Sequence, residues 1–340
     1  MKPDAIKTAI IRAAVRKSIS DIKASPGRGM RNLIDFGDMF ASGRFQHEFF
    51  GSVSDYLSDE NSMYYKLIKR VALQTDPEVF CKFGINLGYN ALTHGAKMIR
   101  RIEELEGYNV PWCLTFELGP GVSTGTLERV IRQGRAMGIY CYIVDSSSAE
   151  IESALALLAK QGDCAIVLLT SADRLTEETC RIIGGAKNIM PLVSAHGGAA
   201  PADACSLLRK KGCLYGVFSK DPISGDKMEL AYKCKASVAA HVTQSVRDMR
   251  EAERHTLSSR RDPRRPVLPL SLYSDIAHAG RRISSEACFA IIGGDGVISA
   301  FSVDRETEAK TRRLDKKTLR ELFREMLPKR APVTGASECN

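Results

Sequence analysis

The sequence predicts an α/β protein: a parallel (β/α) barrel, partial or full and TIM-like, with a helical N-terminal region and a C-terminal β-hairpin plus helix. Two observations predict this class. Near-continuous apolar runs recur at intervals of about 25 residues through the middle of the chain, and amphipathic helical segments lie between them. A step of that size accommodates one strand, one loop and one crossover helix. Continuous apolar runs are typical of parallel strands that are covered on both faces.

Residues 1–108 form the predicted helical N-terminal region. Ile6 and Ile10 begin a helical rhythm, which the turn Ser25-Pro26-Gly27 ends. The segment Thr75-Asp76-Pro77-Glu78 is typical of a helix start, because a capping side chain precedes a proline in the first turn. Between them lies an apolar stripe that must pack against another element. Its residues are Phe45, Phe49, Val53 and Leu57.

Residues 109–275 form the predicted barrel-like core. Strands are predicted at residues 112–118, 139–145, 164–170, 189–195, 213–219, 236–242 and 267–273. Helices are predicted at residues 126–137, 150–160, 177–183, 201–211 and 244–258. Glycines follow four of these helices and are expected to stop them in the left-handed conformation. They are Gly138, Gly162, Gly184 and Gly212.

Residues 276–328 predict a β-hairpin and a closing helix. Two apolar runs, residues 287–292 and 297–302, flank the turn Gly293-Gly294-Asp295-Gly296. Because this glycine-rich turn lies between strands and precedes no helix, it does not predict a phosphate-binding loop. An amphipathic helix is expected at residues 315–326, and residues 329–340 read as a loose tail.

Composition restricts the class of protein. The chain has 340 residues, of which 44% are hydrophobic and 26% charged, as in an ordinary globular protein. No apolar stretch reaches the length of about 18 residues that spans a membrane. The ten cysteines form no CxxC pair, and several lie inside the apolar runs. They are therefore interpreted as reduced core residues, which predicts a cytoplasmic location and no membrane.

The formal net charge of +9 is concentrated toward the C-terminus. Residues 260–265 and 310–317 carry most of the excess and could bind nucleic acid or an acidic partner. No aromatic residue is interleaved with the arginines, and no zinc or helix-turn-helix signature accompanies them. The pattern therefore favours a solvated surface over nucleic-acid binding.

The candidate site follows from the rule that ligands bind at the carboxyl ends of parallel strands. We expect polar side chains at these ends to line one barrel mouth. Two purely structural alternatives stay open. Asp145 and the serines after it could cap the next helix, and His196 could be an ordinary loop histidine. The candidates are Glu117, Asp145, Ser146, Thr170, His196, Lys220 and Asp275.

Several segments resemble radical SAM proteins of a type common in anaerobic bacteria. The best matches are Asn109-Val110-Pro111-Trp112, which leads into the first barrel strand, and Arg132-Gln133-Gly134 in the helix that follows. The hairpin sequence ACFAIIGGDGVISAF, followed by a helix, is similar to the C-terminal segment of that family. The likeness covers roughly residues 80–325 and implies a partial barrel behind a helical N-terminal region.

Three departures from the family pattern bear on function. The family's CxxxCxxC motif, whose thiolates hold a [4Fe–4S] cluster, has no counterpart in residues 119–125. Its "GGEP" motif, which contacts S-adenosylmethionine, is replaced by Asp145-Ser146-Ser147-Ser148. Ala300 stands where a cysteine is expected after the hairpin turn. Neither S-adenosylmethionine nor a [4Fe–4S] cluster is therefore expected, no metal site is assigned, and no catalytic residue is carried over from the family.

A cluster assembled from scattered cysteines such as Cys113, Cys141 and Cys288 is disfavoured, because side chains along strands lie at different depths and on different faces. The resulting hypothesis is a degenerate radical SAM-like protein with a non-catalytic binding role. Its partner would be a genuine radical SAM enzyme or the peptide substrate of such an enzyme. One alternative is an enzyme of another class, with Glu117, Asp145, His196 and Lys220 as acid–base groups. The other is an electrostatic binder of nucleic acid or an acidic partner, which acts through the basic segments.

Overall fold

The computed structural model describes residues 5–39, 55, 57–146, 151–196, 200–223, 225–243, 253–254, 256–257, 259–260, 264–305, 309–315 and 317–329. Most of the apolar stripe at residues 45–57, most of the helix predicted at residues 244–258 and the tail from residue 330 lie outside these ranges. Within them, no helix combines the length and the apolar character that a membrane crossing requires.

Helices and strands alternate through the core. The helices are α1 (Ala5–Ala24), α2 (Pro26–Met39), α3 (Met63–Gln74), α4 (Pro77–Ile85), a π-helix (Asn86–Gly95), α5 (Ala96–Glu106), α6 (Thr124–Met137), α7 (Glu152–Lys160), α8 (Glu177–Ala186), α9 (Pro201–Lys210), α10 (Gly225–Lys233), α11 (Leu272–Ile283) and α12 (Leu319–Met326). The strands are β1 (Cys113–Glu117), β2 (Cys141–Asp145), β3 (Ala165–Thr170), β4 (Ile189–Ser194), β5 (Gly216–Ser219), β6 (Val238–His241), β7 (Leu268–Ser271), β8 (Cys288–Ile292), β9 (Val297–Ser302) and β10 (Lys310–Arg313). Short 3₁₀ turns lie at Ala172–Arg174 and Val303–Arg305.

The ten strands of the described residues form one sheet in the order β10-β9-β8-β1-β2-β3-β4-β5-β6-β7. The strands from β8 through β1 to β7 run parallel, and β9 and β10 extend the β8 edge as antiparallel strands. The parallel order is that of an eight-stranded (β/α) barrel interrupted between β7 and β8. The predicted α/β class is confirmed, and the described strands form the partial version of the barrel.

The two faces of the sheet have different partners. Leu114 of β1 is the register partner of Tyr142 of β2. The Tyr142 hydroxyl donates to the carbonyl oxygens of Ile131, within α6, and Ile139, just after α6, at 3.2 and 2.8 Å. This face therefore packs on the helices. Because side chains alternate along a strand, Glu117 lies on the other face, which lines the barrel interior.

Helix α11 connects the two strands that flank the interruption. Tyr273, near the start of α11, places its hydroxyl 3.4 Å from Thr115 Oγ1 of β1. The Trp112 indole, just before β1, donates to the carbonyl oxygen of Ile276 at 2.9 Å. The helix that leaves β7 thus packs against β1, so the sheet curls and α11 lies across the opening.

The helical run from α3 to α5 closes the end of the barrel opposite the mouth. Its side chains donate to backbone carbonyls in the loops that precede the strands. Arg70 reaches Ala236 and Pro266 before β6 and β7, Lys82 reaches Ala186 before β4, Asn86 reaches Cys164 before β3, and Arg100 reaches Ile283 before β8. The run therefore follows the amino-terminal rim of the barrel from β7 round to β8.

A π-helix interrupts this run. The amide of Asn86 donates to the carbonyl oxygens of Gly162 and Cys164 at 3.1 and 2.9 Å, and Asn90 donates to Asp163 at 2.9 Å. Both asparagines are buried. A buried carbonyl without a hydrogen bond is costly, so these amides fix the loop before β3 in place. The i to i+5 bonding of the π-helix was not foreseen from the sequence.

Some predicted boundaries were right and others wrong. The helix start at Asp76 and the left-handed stops at Gly138 and Gly212 are confirmed. The stops predicted at Gly162 and Gly184 are wrong, because Gln161 ends α7 and α8 continues through Gly184 to Lys187, which takes the positive φ of 64°. Tyr273, expected at the end of a strand, lies in α11. Strand β10 occupies the basic segment before the closing helix, which begins at Leu319 and not at residue 315.

Candidate functional site

Two acidic residues stand next to each other in the backbone register at the barrel mouth. Glu117 is the last residue of β1, Asp145 is the last residue of β2, and the two are register partners on adjacent parallel strands. The backbone N–H of Leu118 donates to the Asp145 carbonyl oxygen at 2.8 Å, which keeps the strands paired to their ends. Both residues are half-buried and share the interior face. The rule for strand ends therefore identifies a neighbouring acidic pair.

Ser146 and Thr170 have structural contacts. Both the backbone N–H and the hydroxyl of Ser146 donate to the carbonyl oxygen of Leu169 at 2.9 Å, and Ser146 is fully buried. Leu169 is the register partner of Asp145, so Thr170, the next residue, lies on the opposite face. Thr170 is also fully buried. Neither hydroxyl faces the mouth beside Asp145.

A second polar group lies where β4 and β5 end. His196 Nε2 is 3.0 Å from Ser219 Oγ and 3.0 Å from Asp221 Oδ2, and Lys227 Nζ of α10 is 3.1 Å from the same Asp221 oxygen. The hydrogen bond and charge of Lys227 lower the pKa of Asp221, and the nearby His196 adds to this. Lys220, between Ser219 and Asp221, is exposed.

This serine, histidine and aspartate do not form a catalytic triad. A triad needs the serine and the carboxylate on different ring nitrogens, so that one nitrogen takes the proton while the other is held. Here both groups contact Nε2 of His196. Ser219 is 1% exposed, and its Oγ also accepts the backbone N–H of Asp221 at 3.0 Å. The arrangement orders the loop after β5 and does not present a nucleophile.

Asp275 forms an ion pair at the start of α11. Its two carboxylate oxygens accept hydrogen bonds from Arg260 at 2.8 and 2.7 Å, and Oδ2 accepts the backbone N–H of Ser271 at 3.1 Å. Burial raises the pKa of Asp275, and the Arg260 guanidinium opposes this. Arg260 also donates to the Pro269 carbonyl oxygen of β7 at 3.1 Å. Asp275 therefore anchors α11 against β7.

The loop after β1 lies against the turn between β8 and β9. The backbone N–H of Gly121 donates to the Gly294 carbonyl oxygen at 2.7 Å. A Cβ atom on Gly121 would stand 2.2 Å from the backbone carbon of Asp295, and one on Gly119 would stand 2.7 Å from Gly294 Cα. No real Cβ approaches so closely, so the two backbones touch without room for a side chain.

The cysteines do not converge on this loop. Cys113 and Cys141 are register partners at the first positions of β1 and β2, far along the strands from the mouth. Cys288 shares a strand face with Ala290, the register partner of Leu114, so it lies on the opposite face from Cys113. All nine described cysteines are buried, and the described residues contain no group of three or more potential ligands that could hold a metal ion. The residues present therefore do not fit an iron–sulfur cluster at the mouth.

The candidates thus fall into separate sets. Glu117 and Asp145 are brought together on β1 and β2, His196 and Lys220 lie near each other on the loops after β4 and β5, and Asp275 is committed to Arg260. The sequence reasoning missed Lys227 and Arg260, because each is brought in by a distant helix or loop and neither lies at a strand end. The ligand-binding roles of the candidate residues stay predictions.

The comparisons with known proteins concern the fold. No protein-family description matches the chain, and no match was found among curated proteins. Three similar solved structures are of SuiB from Streptococcus suis, a radical SAM enzyme.

With S-adenosylmethionine bound, SuiB is 11% identical, each chain is covered to 69%, and the TM-score is 0.48. With precursor peptide SuiA bound, identity is 10%, coverage is 69% of this chain and 70% of SuiB, and the TM-score is 0.46. A further SuiB structure is 10% identical over 91% of this chain and 81% of SuiB, with a TM-score of 0.47. At these identities and TM-scores, the likeness is one of fold alone.

Proposed function

We propose that the protein is a radical SAM-like barrel that carries no iron–sulfur cluster and acts as a non-catalytic binding or partner protein. One observation carries the proposal: the loop after β1 contains no cysteine and is pressed, backbone to backbone, against the turn between β8 and β9. In the family that the sequence resembles, this loop would hold the cluster.

The packing of the loop after β1 supports the proposal that this site holds no cluster. Three thiolates must approach one cluster within a common geometry. A cysteine placed at Gly119 or Gly121 would collide with the backbone of the turn, so restoring the ligands would require the turn to move as well. The hydrogen bond with Cys141 and, after it, burial raise the pKa of the Cys113 thiol, which disfavours the thiolate form that binds iron.

We propose as partner a complete radical SAM enzyme or the peptide substrate of such an enzyme. SuiB, which has been crystallised with its precursor peptide SuiA, is one protein of similar fold for which a peptide complex exists. The half-buried residues Glu117 and Asp145 place two negative charges at the mouth, and these would attract a basic peptide side chain. The nine described cysteines are buried and form no disulfide, which is compatible with a reducing, cytoplasmic location.

The decisive experiment is anaerobic reconstitution of the purified full chain with iron and sulfide. Iron and acid-labile sulfide are then quantified, and the visible spectrum is recorded with and without S-adenosylmethionine. We expect no stoichiometric iron and no absorption band near 400 nm of the kind that iron–sulfur proteins show. About four irons per chain together with a spectral change on adding S-adenosylmethionine would overturn the proposal.

Two cysteine variants serve as matched controls for that measurement. Cys113→Ser removes a thiol of the cross-strand pair, and Cys180→Ser removes a buried thiol of the outer helix α8. Non-specific iron would be bound equally by both variants and by the unmodified chain. Loss of iron in Cys113→Ser alone would instead identify a true ligand, contrary to the proposal.

A further inference from the structure

Strand β10 is an exposed edge of the sheet. It pairs on one side with β9, through Lys310 with Ala300 and Arg313 with Val297 at its two ends. On its other side, the part of the chain that the structure describes supplies no strand. All four residues of β10 are exposed. Such an edge presents backbone donors and acceptors in the geometry that a further strand would need.

The hydrogen-bond phase of the hairpin shows which groups face outward. The N–H of Gly293 donates to the Val297 carbonyl oxygen at 2.8 Å, so Val297 directs its backbone groups toward β8. Bonding directions alternate along an antiparallel strand, so Ile298 and Ala300 bond toward β10. The bond from the N–H of Leu314 to the Gly296 carbonyl oxygen, at 3.2 Å, fits the same phase.

The register then assigns the residues of β10. Arg312 and Lys310, opposite Ile298 and Ala300, bond to β9. Thr311 and Arg313 therefore direct their backbone N–H groups away from the sheet. The Thr311 carbonyl oxygen accepts a hydrogen bond from the guanidinium of Arg312 at 2.8 Å, which places a positive charge along the free edge.

The charge of β10 indicates which kind of strand can pair with its exposed edge. Lys310 and Arg312 lie on the face toward Glu325 of α12, and Arg313 lies on the opposite face, 3.7 Å from Asp315. Both faces of the edge therefore carry cations. A second copy of the chain paired edge to edge would set arginine against arginine, and like charges opposite each other are destabilising. On the face toward α12, the three cations Lys310, Arg312 and Lys317 lie around the single carboxylate of Glu325, so an acidic strand would meet net positive charge there.

We propose that β10 binds an extended acidic peptide segment of a partner protein, which adds to the sheet as a further strand. Main-chain hydrogen bonds to Thr311 and Arg313 would supply the strand pairing, and the flanking cations would select acidic side chains. A nucleic acid could use the cations but not the outward N–H groups in strand geometry. The proposal does not depend on whether the chain binds a cluster, so the outcome of iron reconstitution leaves it unaffected.

The test uses the full chain and a fluorescein-labelled octapeptide of alternating glutamate and valine, with binding followed by fluorescence anisotropy. Thr311→Pro removes one outward N–H but no bond to β9, since proline is tolerated where a strand N–H faces solvent. Thr311→Val keeps the N–H and is the matched control. We expect Thr311→Pro to weaken binding about tenfold and Thr311→Val to change it less than about twofold.

Two further measurements separate strand pairing from plain charge attraction. Arg313→Glu should weaken binding of the glutamate–valine peptide, and thermal unfolding of each variant should match the unmodified chain. A glutamate–valine octapeptide that is N-methylated at every residue carries the same charge but has no backbone N–H to donate, and its methyl groups block strand pairing, so it should bind about tenfold more weakly. Equal binding of the two peptides, no binding of either, or tighter binding of a single-stranded oligonucleotide that is insensitive to Thr311→Pro would overturn the proposal.

Discussion

The backbone N–H of Gly121 donates to the carbonyl oxygen of Gly294 across 2.7 Å, and this bond joins the loop after β1 to the turn between β8 and β9. The two segments are far apart in the chain but belong to neighbouring strands of the sheet. The contact therefore fixes one side of the barrel mouth.

Substitution of Gly121 should disrupt the contact between the loop after β1 and the turn between β8 and β9. A Cβ atom there would stand 2.2 Å from the backbone carbon of Asp295, so the turn must shift. We expect Gly121→Ala to lower the free energy of unfolding by about 1–3 kcal/mol, in line with overpacking at a close contact. Urea denaturation followed by circular dichroism measures this. Gly125→Ala is the control, because a Cβ at Gly125 meets only Ser123 Oγ at 3.8 Å. Equal effects of the two substitutions would contradict the packing described here.

The side-chain amide of Asn86 should make a large contribution to the free energy of unfolding. It satisfies the carbonyl oxygens of Gly162 and Cys164, and Asn86→Ala leaves both without this donor in a buried place. We expect a loss of about 1–3 kcal/mol in the free energy of unfolding. The exposed Asn61 provides the comparison, and Asn61→Ala should be nearly neutral. An Asn86→Ala protein as stable as the parent would mean that the π-helix does not hold the loop before β3.

Glu103 should give stability an unusual dependence on pH. Its side chain is 2% exposed, and burial raises its pKa above the ordinary 4.5, although hydrogen bonds from Ser284 and Val110 oppose the shift. The folded state thus binds the proton more tightly than the unfolded state. This contribution to stability is fully present below pH 4.5 and is lost as the pH rises through the folded pKa.

Glu103→Gln removes that titration. We expect the free energy of unfolding of the variant to improve relative to the parent between pH 4.5 and about pH 7.5, as measured by urea denaturation at both values. The exposed neighbour Glu104 serves as control, and Glu104→Gln should show no such change. A relative stability that falls as the pH rises would reverse the predicted sign.

Lys187 offers a stabilising substitution. It ends α8 with a φ of 64°, in the left-handed region that glycine adopts without steric cost. We expect Lys187→Gly to raise the free energy of unfolding by about 0.5–1 kcal/mol. Lys187→Ala removes the same side chain but keeps the strain, so it should bring no such gain. Thermal unfolding of both variants side by side tests this, and an equal response would assign the effect to the lost charge.

The strands that the sequence predicts well are those buried on both faces. Strands β1 to β5 appear as apolar runs because helices cover one side and the barrel interior the other. Strand β10 shows no such run: its residues, from Lys310 to Arg313, are all exposed and polar. It exists because β9 offers an edge to pair with, which is a tertiary reason that no local pattern contains.

In the candidate site, too, some features could be predicted from local sequence patterns and others depend on tertiary contacts. That Glu117 and Asp145 lie side by side could be predicted, since both end neighbouring parallel strands. The pairing of Asp275 with Arg260 could not, because the arginine lies between β6 and β7 and follows no strand end. Likewise, the sequence indicates that residues 63–106 are helical, but not that Arg70 would reach a carbonyl group 196 positions away.

That helical run also has a kinetic consequence. During synthesis, Arg70 and Asn86 leave the ribosome well before the loops at Pro266 and Gly162 to which they bind. The amino-terminal helices must therefore wait, with part of their apolar surface uncovered, until the last parallel strands have been made. Contacts of such long sequence separation slow folding. The base of the barrel is thus synthesised before any of the strands that it covers, and it is among the last parts of the structure to become native.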